Sequence, residues 1–574
     1  MASTDDPRDL RRVLGIEGTA WAASAAVYDA ANDAVTIETD AYRPDSGGIH
    51  PREAAEHMSD AVPRVVERAL AEAREQARGD ADRGSDDPPV DAVAFSRGPG
   101  LGPCLRIAGT AARAVARRLD VPLVGVNHMV AHLEVGRHRS GFSAPVCLNA
   151  SGANAHVLAY RNGKYRMVGE TMDTGVGNAI DKFTRHLGWS HPGGPKVERR
   201  AREGEYHELP YVVKGMDFSF SGITSAAKAA VDDGVPVADV CRGLEETVFA
   251  MLTEGSERAL SLTGRNELVL GGGVGQNDRL QRMLGEMCDQ RGADLYVPED
   301  RFLRDNAGMI AVLGAKMAAA GDTLAVADSG IDSDFRPDEV PVTWREADPE
   351  RSAGGGAGAS EAAGEAEPTG GREHGPAGED GETTTQQGAE ATVAFVDGRV
   401  VKRRPPRTYR HPALDERLRR ERTRREARLT SQARRQGVPT PVVRDVDVRE
   451  ATITFGYVGD CDLRAAPDAE RVRAVGRHLA ALHDAGIVHG DPTTRNVRVG
   501  EERTYLIDFG LGYSSRDEED HAVDLHVFGR SLDGTADDAE RLRAAAEAAY
   551  RERSERADAV LARLADVEGR GRYR

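Results

Sequence analysis

A chain of 574 residues is too long for one ordinary core, and a prior of roughly 150 residues per domain sets three or four structural units. The formal charge of -18 would argue against a polyanionic partner, yet Lys supplies only 7 of the 76 basic residues against 94 acids, the balance of a salt-adapted protein whose overall acidity says little about what it binds. A polar start, no apolar run near the ~18 residues of a spanning helix, and five scattered cysteines (Cys104, Cys147, Cys241, Cys288 and Cys461) exclude a membrane reading, a disulfide framework and a thiolate zinc site, so a cytoplasmic, reducing location is expected.

In chain order, β-like runs at 13–16, 90–95, 146–149 and 267–270 alternate with helical patterns, which predicts an α/β region. Three of the runs lead into small-residue turns: Gly15-Ile16-Glu17-Gly18-Thr19, Ser151-Gly152-Ala153-Asn154, and Gly271-Gly272-Gly273-Val274-Gly275-Gln276-Asn277. Such turns let backbone amides close on phosphate. Three of them together suggest an actin-like nucleotide-binding fold, and none ends in the Gly-Lys-Ser or Gly-Lys-Thr of a P-loop.

After the run 121–126, Asn127 can cap a helix that carries His128 and His132 at i, i+4, on one face. A lone His-x-x-x-His pair also arises as a surface or core accident. Asp305, at the mouth of the apolar run 307–311, offers the carboxylate that would complete a site. Two histidines and one carboxylate with open positions suit non-haem iron, with zinc as the alternative.

Residues 350–387 contain no Val, Ile, Leu, Met or aromatic residue, the composition of a flexible linker. Beyond it, a β-ribbon is expected at 391–402 and a basic helix at 414–436. Between Arg399 and Arg435 fifteen Arg or Lys face four acids, either a polyanion surface or a solvated helix laced with Glu-Arg pairs. His489-Gly490-Asp491, with Asn496 five residues after the aspartate, precedes Asp508-Phe509-Gly510, the spacing of a protein-kinase catalytic loop and magnesium loop. Asp491 would accept the hydroxyl proton, Asn496 and Asp508 would bind Mg2+, and Lys402, with Glu426 as its helical partner, would pair the ATP phosphates. The turn Gly388-Ala389-Glu390-Ala391 precedes the ribbon at the ATP end of such a domain. No Gly-x-Gly-x-x-Gly loop occurs, Gly490 replaces the usual Arg, and no Ala-Pro-Glu follows, so regulation by activation-loop phosphorylation is not expected.

Ser96-Arg97-Gly98-Pro99-Gly100-Leu101-Gly102-Pro103-Cys104-Leu105-Arg106, the histidine pair, Gly177-Asn178-Ala179-Ile180-Asp181-Lys182-Phe183, His191-Pro192-Gly193-Gly194-Pro195, Phe218-Ser219-Phe220-Ser221-Gly222 and Asp305-Asn306 together resemble the universal tRNA threonylcarbamoyltransferase family over about residues 12–340. The resemblance implies transfer of threonylcarbamoyl from threonylcarbamoyl-adenylate to the N6 amine of the adenosine beside the anticodon, in tRNAs reading codons that begin with A. It places the metal on His128, His132 and Asp305, and the adenylate against Asn149, Ala150, Ser151, Gly152, Ala153, Asp181, Gly194, Glu198 and Asn277. Archaeal members usually put a ligating Tyr where Asn149 stands. An amide is the weaker ligand, so water or a substrate oxygen is expected beside it. Ala153 replaces the usual Gly, at little cost unless the position needs a positive φ.

The reduced kinase pattern, with Arg407-Thr408-Tyr409-Arg410-His411-Pro412-Ala413-Leu414-Asp415 and the tail Arg570-Gly571-Arg572-Tyr573-Arg574, is similar to the small atypical kinase of the KEOPS complex, which occurs naturally fused to the transferase. The expected organisation is an actin-like, ribonuclease H-like two-lobed domain at 10–347, a linker at 348–385, and a small bilobal kinase-like α+β domain at 386–574. Expected partners are tRNA and the other KEOPS subunits, with Fe2+ (or Zn2+) in one domain and ATP with Mg2+ in the other. Two rival readings remain open: an ATP-gated tRNA scaffold without catalysis, and a metalloprotease, against which the missing Glu of His-Glu-x-x-His argues.

Overall fold

The computed structural model describes residues 10–42, 50–78, 83–84, 87–345 and 384–569. The described residues divide into two compact units, one within 10–344 with 407–415 and 565–569, the other 345, 384–406 and 416–564. The expected linker lies outside the described residues except at its end, and so does the basic tail 570–574. That end differs from its composition: residues 384–387 form a strand paired to 392–395, backbone hydrogen bonding supplying the order that apolar burial could not.

The first unit is built twice on one strand order. Its first sheet joins β1 (Arg12–Glu17), β2 (Ala22–Asp29), β3 (Ala34–Ala41), β4 (Ala92–Gly98) and β5 (Leu123–Asn127) in the order β3-β2-β1-β4-β5. Its second joins β6 (Val146–Ala150), β7 (Ala155–Arg161), β8 (Lys164–Glu170), β11 (Glu267–Gly271) and β12 (Asp294–Tyr296) in the order β12-β11-β6-β7-β8, with a short ribbon of β9 (Val213–Lys214) and β10 (Asp217–Phe218) beside it. In each sheet the first strand pairs antiparallel with the hairpin that follows it and parallel with the fourth strand. Nearly continuous burial along β1, β2, β4 and β6 explains their unbroken apolar runs, since each is covered on both faces.

Helices α1 (Pro51–Ala77) and α2 (Gly102–Leu119) cover the outer face of the first sheet through Met58, Val62, Val65 and Ala108. Helices α4 (Val176–His186), α5 (Gly194–Ala201), α6 (Ser221–Asp232), α7 (Val237–Thr263) and α8 (Asp278–Arg291) cover the second. Between the sheets lie α3 (His128–Ser140) and α10 (Ala307–Ala319), with the short α9 (Asp300–Leu303) leading to the latter. Every residue of α3 from His128 to Gly136 is buried. An imidazole on that helix is therefore placed in the interior.

The second unit opens on a five-stranded antiparallel sheet, β13 (Thr384–Gln387), β14 (Thr392–Val396), β15 (Arg399–Arg403), β16 (Val443–Asp447) and β17 (Thr452–Gly456), ordered β13-β14-β15-β17-β16. Helix α11 (Pro412–Arg435) falls between β15 and β16 in sequence, within two residues of the expected basic helix. The rest combines α12 (Ala469–Asp484), α13 (Glu518–Thr535), α14 (Ala539–Arg553) and α15 (Ala557–Gly569) with two small sheets, β18 (Cys461–Asp462), β20 (Val497–Val499) and β21 (Thr504–Leu506), and β19 (Ile487–Val488) with β22 (Tyr513–Ser514). Among the described residues no helix is long and apolar enough to cross a membrane.

The basic stretch 399–435 corrects both sequence readings in part. Lys402, Arg404, Arg407, Arg410 and Arg422 are buried rather than solvated, and each meets a carboxylate, buried in every case but the half-buried Glu390 that Arg422 meets. Arg407 and Arg410 lie in the segment 407–415 of the first unit, where they pair with Glu257 at 3.0 Å and Glu254 at 2.7 Å on α7. Buried charges persist only when paired in this way. Arg420, Arg424, Arg428 and Arg435 do lie exposed.

Candidate metal and nucleotide sites

Asn127 ends β5 and caps α3, its Oδ1 accepting from the Met129 and Val130 amides at 3.0 and 3.1 Å. That cap fixes the first turn, so His128 and His132 stand one above the other with ring centroids 4.9 Å apart and planes at 87°. Asp305, two residues before α10, reaches both: its Oδ1 lies 3.2 Å from His128 Nε2 and 3.4 Å from His132 Nε2. The three potential ligand atoms lie within 4.8 Å of one another. Donor atoms around a single cation at about 2.0–2.2 Å stand at such separations.

Glu17, fully buried at the end of β1, gave no signal in sequence beyond its glycine-flanked turn. Its Oε2 accepts from His128 Nδ1 at 3.1 Å and from the Ser96 hydroxyl, while Oε1 accepts from the Thr19 amide and hydroxyl at 2.8 and 2.5 Å. A carboxylate on Nδ1 fixes the ring orientation and leaves Nε2 for a metal. Burial works against a charge on His128, but Glu17 and Asp305 outweigh it and push its pKa up to about 10. Asp305 is lowered in turn: burial opposes its charge, and His128 and His132 overcome that. His132 is lowered by burial and by the neighbouring His128. The cluster thus gathers three ligand atoms where a divalent cation fits.

Asn149, the last residue but one of β6, lies near His132, since a Cβ on Gly271 would stand 3.6 Å from its Oδ1 and 3.7 Å from His132 Cβ; that buried Oδ1 has no hydrogen-bond partner, and Nδ2 is 3.6 Å from Met129 Sδ. A buried acceptor lacking a donor, close to His132, suits a cation or a bound donor group. Gly272 crosses close to it: a Cβ there would sit 2.2 Å from the Ala150 carbonyl and 2.5 Å from Asn149 Oδ1, at φ +83°. Only glycine fits that crossing.

The turn after Asn149 closes on itself through the Ser151 amide to the Asn154 carbonyl at 2.8 Å, and the Asn178 amide on α4 reaches the Gly152 carbonyl at 2.8 Å. Ala153 does not adopt a positive φ, so its departure from glycine costs nothing there. Asp181 on the same helix accepts from the Gly193 amide at 2.7 Å and pairs with His191 Nδ1 at 3.1 Å, which brings it to the start of α5 at Gly194. Glu198 on α5 pairs with Arg202 at 2.9 Å. Asn277 caps α8 and donates Nδ2 to Glu245 on α7 at 3.1 Å. Glu245 is pushed up to about 7 by burial, against the Asn277 bond and with Glu198 adding to the rise. The expected adenylate residues therefore gather around two points, α4 with its preceding turn and the Glu198, Glu245, Asn277 group.

In the second unit Lys402 Nζ lies 2.9 Å from Glu426 Oε1 on α11 and 2.8 Å from Asp508 Oδ1. Burial opposes the Asp508 charge, but Lys402 and Arg404 hold its carboxyl down at about 2. Asn496 Nδ2 donates to the Asp491 carboxylate at 2.8 Å and to its carbonyl at 2.9 Å. Asp524 on α13, missed in sequence, accepts from the His489 and Gly490 amides at 2.6 and 2.8 Å and from His483 at 3.1 Å. It fixes the backbone that presents Asp491. The turn 388–391 closes through the Gly388 amide to the Ala391 carbonyl at 2.8 Å, and Glu390 is engaged by Arg422.

Residues 33–312 match the family described as tRNA N6-adenosine threonylcarbamoyltransferase. A Haloarcula marismortui protein named "Probable bifunctional tRNA threonylcarbamoyladenosine biosynthesis protein" is 69% identical over 574 residues, covering 98% of this chain and 100% of that protein. Proteins of the same name from Halobacterium salinarum and Methanospirillum hungatei are 69% and 48% identical, each over 98% of this chain and over 98% and 99% of their own length. Among solved structures, full-length HypF aligns over 53% of this chain and 55% of its own at 13% identity and a TM-score of 0.39, too slight a likeness to argue from. The chain belongs to the tRNA N6-adenosine threonylcarbamoyltransferase family, in its bifunctional form. It is an enzyme of tRNA threonylcarbamoyladenosine biosynthesis.

Proposed function

We propose that the first unit, read as an actin-like two-lobed fold, transfers the threonylcarbamoyl group from threonylcarbamoyl-adenylate to the N6 amine of the adenosine beside the anticodon, in tRNAs reading codons that begin with A. The observation that carries this reading is the convergence of two imidazole Nε2 atoms on one Asp305 oxygen, with Glu17 behind His128. His128, His132 and Asp305 would hold iron, with zinc as the alternative, and Asn149 would stand beside an open position. When bound, such a cation supplies Lewis acidity toward the carbamoyl oxygen. The turn 150–153, Asp181, Gly194, Glu198 and Asn277 would hold the adenylate and orient the acyl group, so that the amine nitrogen bonds to the carbamoyl carbon as the bond to the phosphate oxygen breaks and AMP departs. No covalent enzyme intermediate is needed.

The second unit is read as a small kinase-like domain. Lys402 and Glu426 would serve ATP, Asn496 and Asp508 would take Mg2+, Asp491 would accept the proton, and the turn 388–391 would flank the nucleotide. It would hydrolyse ATP or phosphorylate serine or threonine in support of modification, within KEOPS and with the exposed arginines of α11 against tRNA phosphates. Reconstitution with unmodified tRNA, threonylcarbamoyl-adenylate and the partner subunits tests both halves. Asp305→Ala is expected to lose metal and product together, and retained transfer would favour a scaffold. Asp491→Ala is expected to abolish ATP turnover while tRNA binding persists, and continued turnover would overturn the kinase-like assignment.

A further inference from the structure

Arg404 has no place in the ATP-site reading above, yet it is more deeply buried than Lys402, with 2% of its side chain exposed against 10%. It follows the last residue of β15, two positions after Lys402, where its amide still pairs with the Ala451 carbonyl at 3.0 Å and its side chain, like that of Lys402, reaches Glu426. One guanidinium nitrogen, Nη2, meets Glu426 Oε2 and lies 3.8 Å from Asp508 Oδ1; the other, Nη1, donates to Thr423 Oγ1 on α11 at 3.4 Å. The same Nη2 closes over the backbone of the Asp508-Phe509-Gly510 loop, where a Cβ on Gly510 would lie 2.8 Å away. Two cations and two carboxylates thus form a ring in which each oxygen of Glu426 has its own cation.

We infer that Arg404 is a positioning residue for the nucleotide site, holding Glu426 and the Asp508 loop in place when Lys402 turns to the phosphates. The inference rests on the ATP reading of the second unit. Lys402 alone cannot do both jobs, because its compact ammonium is shared between Glu426 and Asp508 before any nucleotide arrives. A phosphate that draws it away would leave a buried Glu426 uncompensated, unless the second cation stays. Arg404 supplies a planar fork anchored on Glu426 and Thr423, a geometry that a lysine cannot copy. The arrangement also explains how a unit with no arginine at position 490 can keep its Lys402–Glu426 pair assembled without an activation-loop phosphate.

The test measures steady-state ATP hydrolysis by the full chain carrying Arg404→Met and Arg404→Lys, alongside Glu426→Gln and the double variant Arg404→Met/Glu426→Gln. The expected result is a rise in KM for ATP of about tenfold in Arg404→Met with a smaller change in kcat, partly restored in Arg404→Lys, and a double variant no worse than Glu426→Gln alone. A purely structural role would lower the unfolding midpoint without moving KM. Should Arg404→Met fail to fold, Arg404→Lys decides: a KM raised about threefold or more supports the inference. A KM unchanged in the folded variants, or effects that add in the double variant, overturns it. Asp508→Ala separates the two ideas, since turnover surviving there sinks the ATP reading itself, whereas turnover lost there with Arg404 variants unaffected sinks only this one.

Discussion

His128 depends on a partner that no metal would touch. Its Nδ1 faces Glu17, and Glu17 is itself saturated by Thr19 and Ser96, so the ring cannot rotate without breaking a buried network. Replacing Glu17 by Gln keeps the volume but removes the anion that orients the ring, and the expected loss of metal affinity is about 10- to 100-fold. Competition with a chelator, read by elemental analysis of the recovered protein, would check it, and an affinity equal to the parent's would count against the role. At this scale sequence was uneven. Spacing was enough to suggest His128, His132 and Asp305, because i, i+4 on a capped helix and a carboxylate at the mouth of an apolar run are local patterns. Glu17 and Asp524 left no such trace. Each works through a contact far away in sequence, with |i−j| of 111 from Glu17 to His128 and 34 from Gly490 to Asp524.

Among the elements, three helices that flank the first site begin alike. Asn127 caps α3, Asn277 caps α8 and Asn306 caps α10, each accepting amide hydrogens of the first turn through its side-chain oxygen. Asparagine suits this position because its short amide satisfies orphan donors without adding charge beside a carboxylate-rich centre. The cap on α3 matters most, since His128 is the first residue behind it and Asn127 also donates to the Phe335 carbonyl at 2.9 Å. Asn127→Ala is expected to cost about 1–2 kcal/mol of stability and to weaken metal binding with it. Urea unfolding and chelator competition on the same preparation would check the pairing of the two effects. The strands near 13–16, 90–95, 121–126, 146–149 and 267–270, the ribbon at 391–402, the helix behind Asn127 and the basic helix were legible from period and punctuation. The strand 384–387 was not, because pairing rather than burial orders it, and the buried arginines of 402–422 were read as surface because charge patterning does not say which way a side chain faces.

Over the whole molecule, acidity reaches into the core. Glu134 on α3 is fully buried and is met by Arg137 at 3.0 Å, Lys316 at 3.3 Å and the Tyr165 hydroxyl. Burial opposes its charge, but Lys316 and Arg137 prevail and hold its pKa at about 2. A carboxyl depressed on folding stabilises the native state above its ordinary range, and that contribution disappears as pH falls from about 4.5 toward 2. Glu134→Gln should therefore lower stability at neutral pH and flatten the acid limb of unfolding between those values. Thermal melts across pH 2–6, at about half-unit steps, would check it; a variant whose acid limb parallels the parent's would contradict the network's role.

The repeated strand order carries one more consequence. Glu17 closes the leading strand of one half and Asn149 stands one residue before the end of the leading strand of the other, while α3 and α10, which bring His128, His132 and Asp305 together, pack between the two sheets. An ion held by those three side chains would rest on helices shared by both halves. Its dissociation constant would then report on the alignment of the two sheets as well as on the ligands themselves.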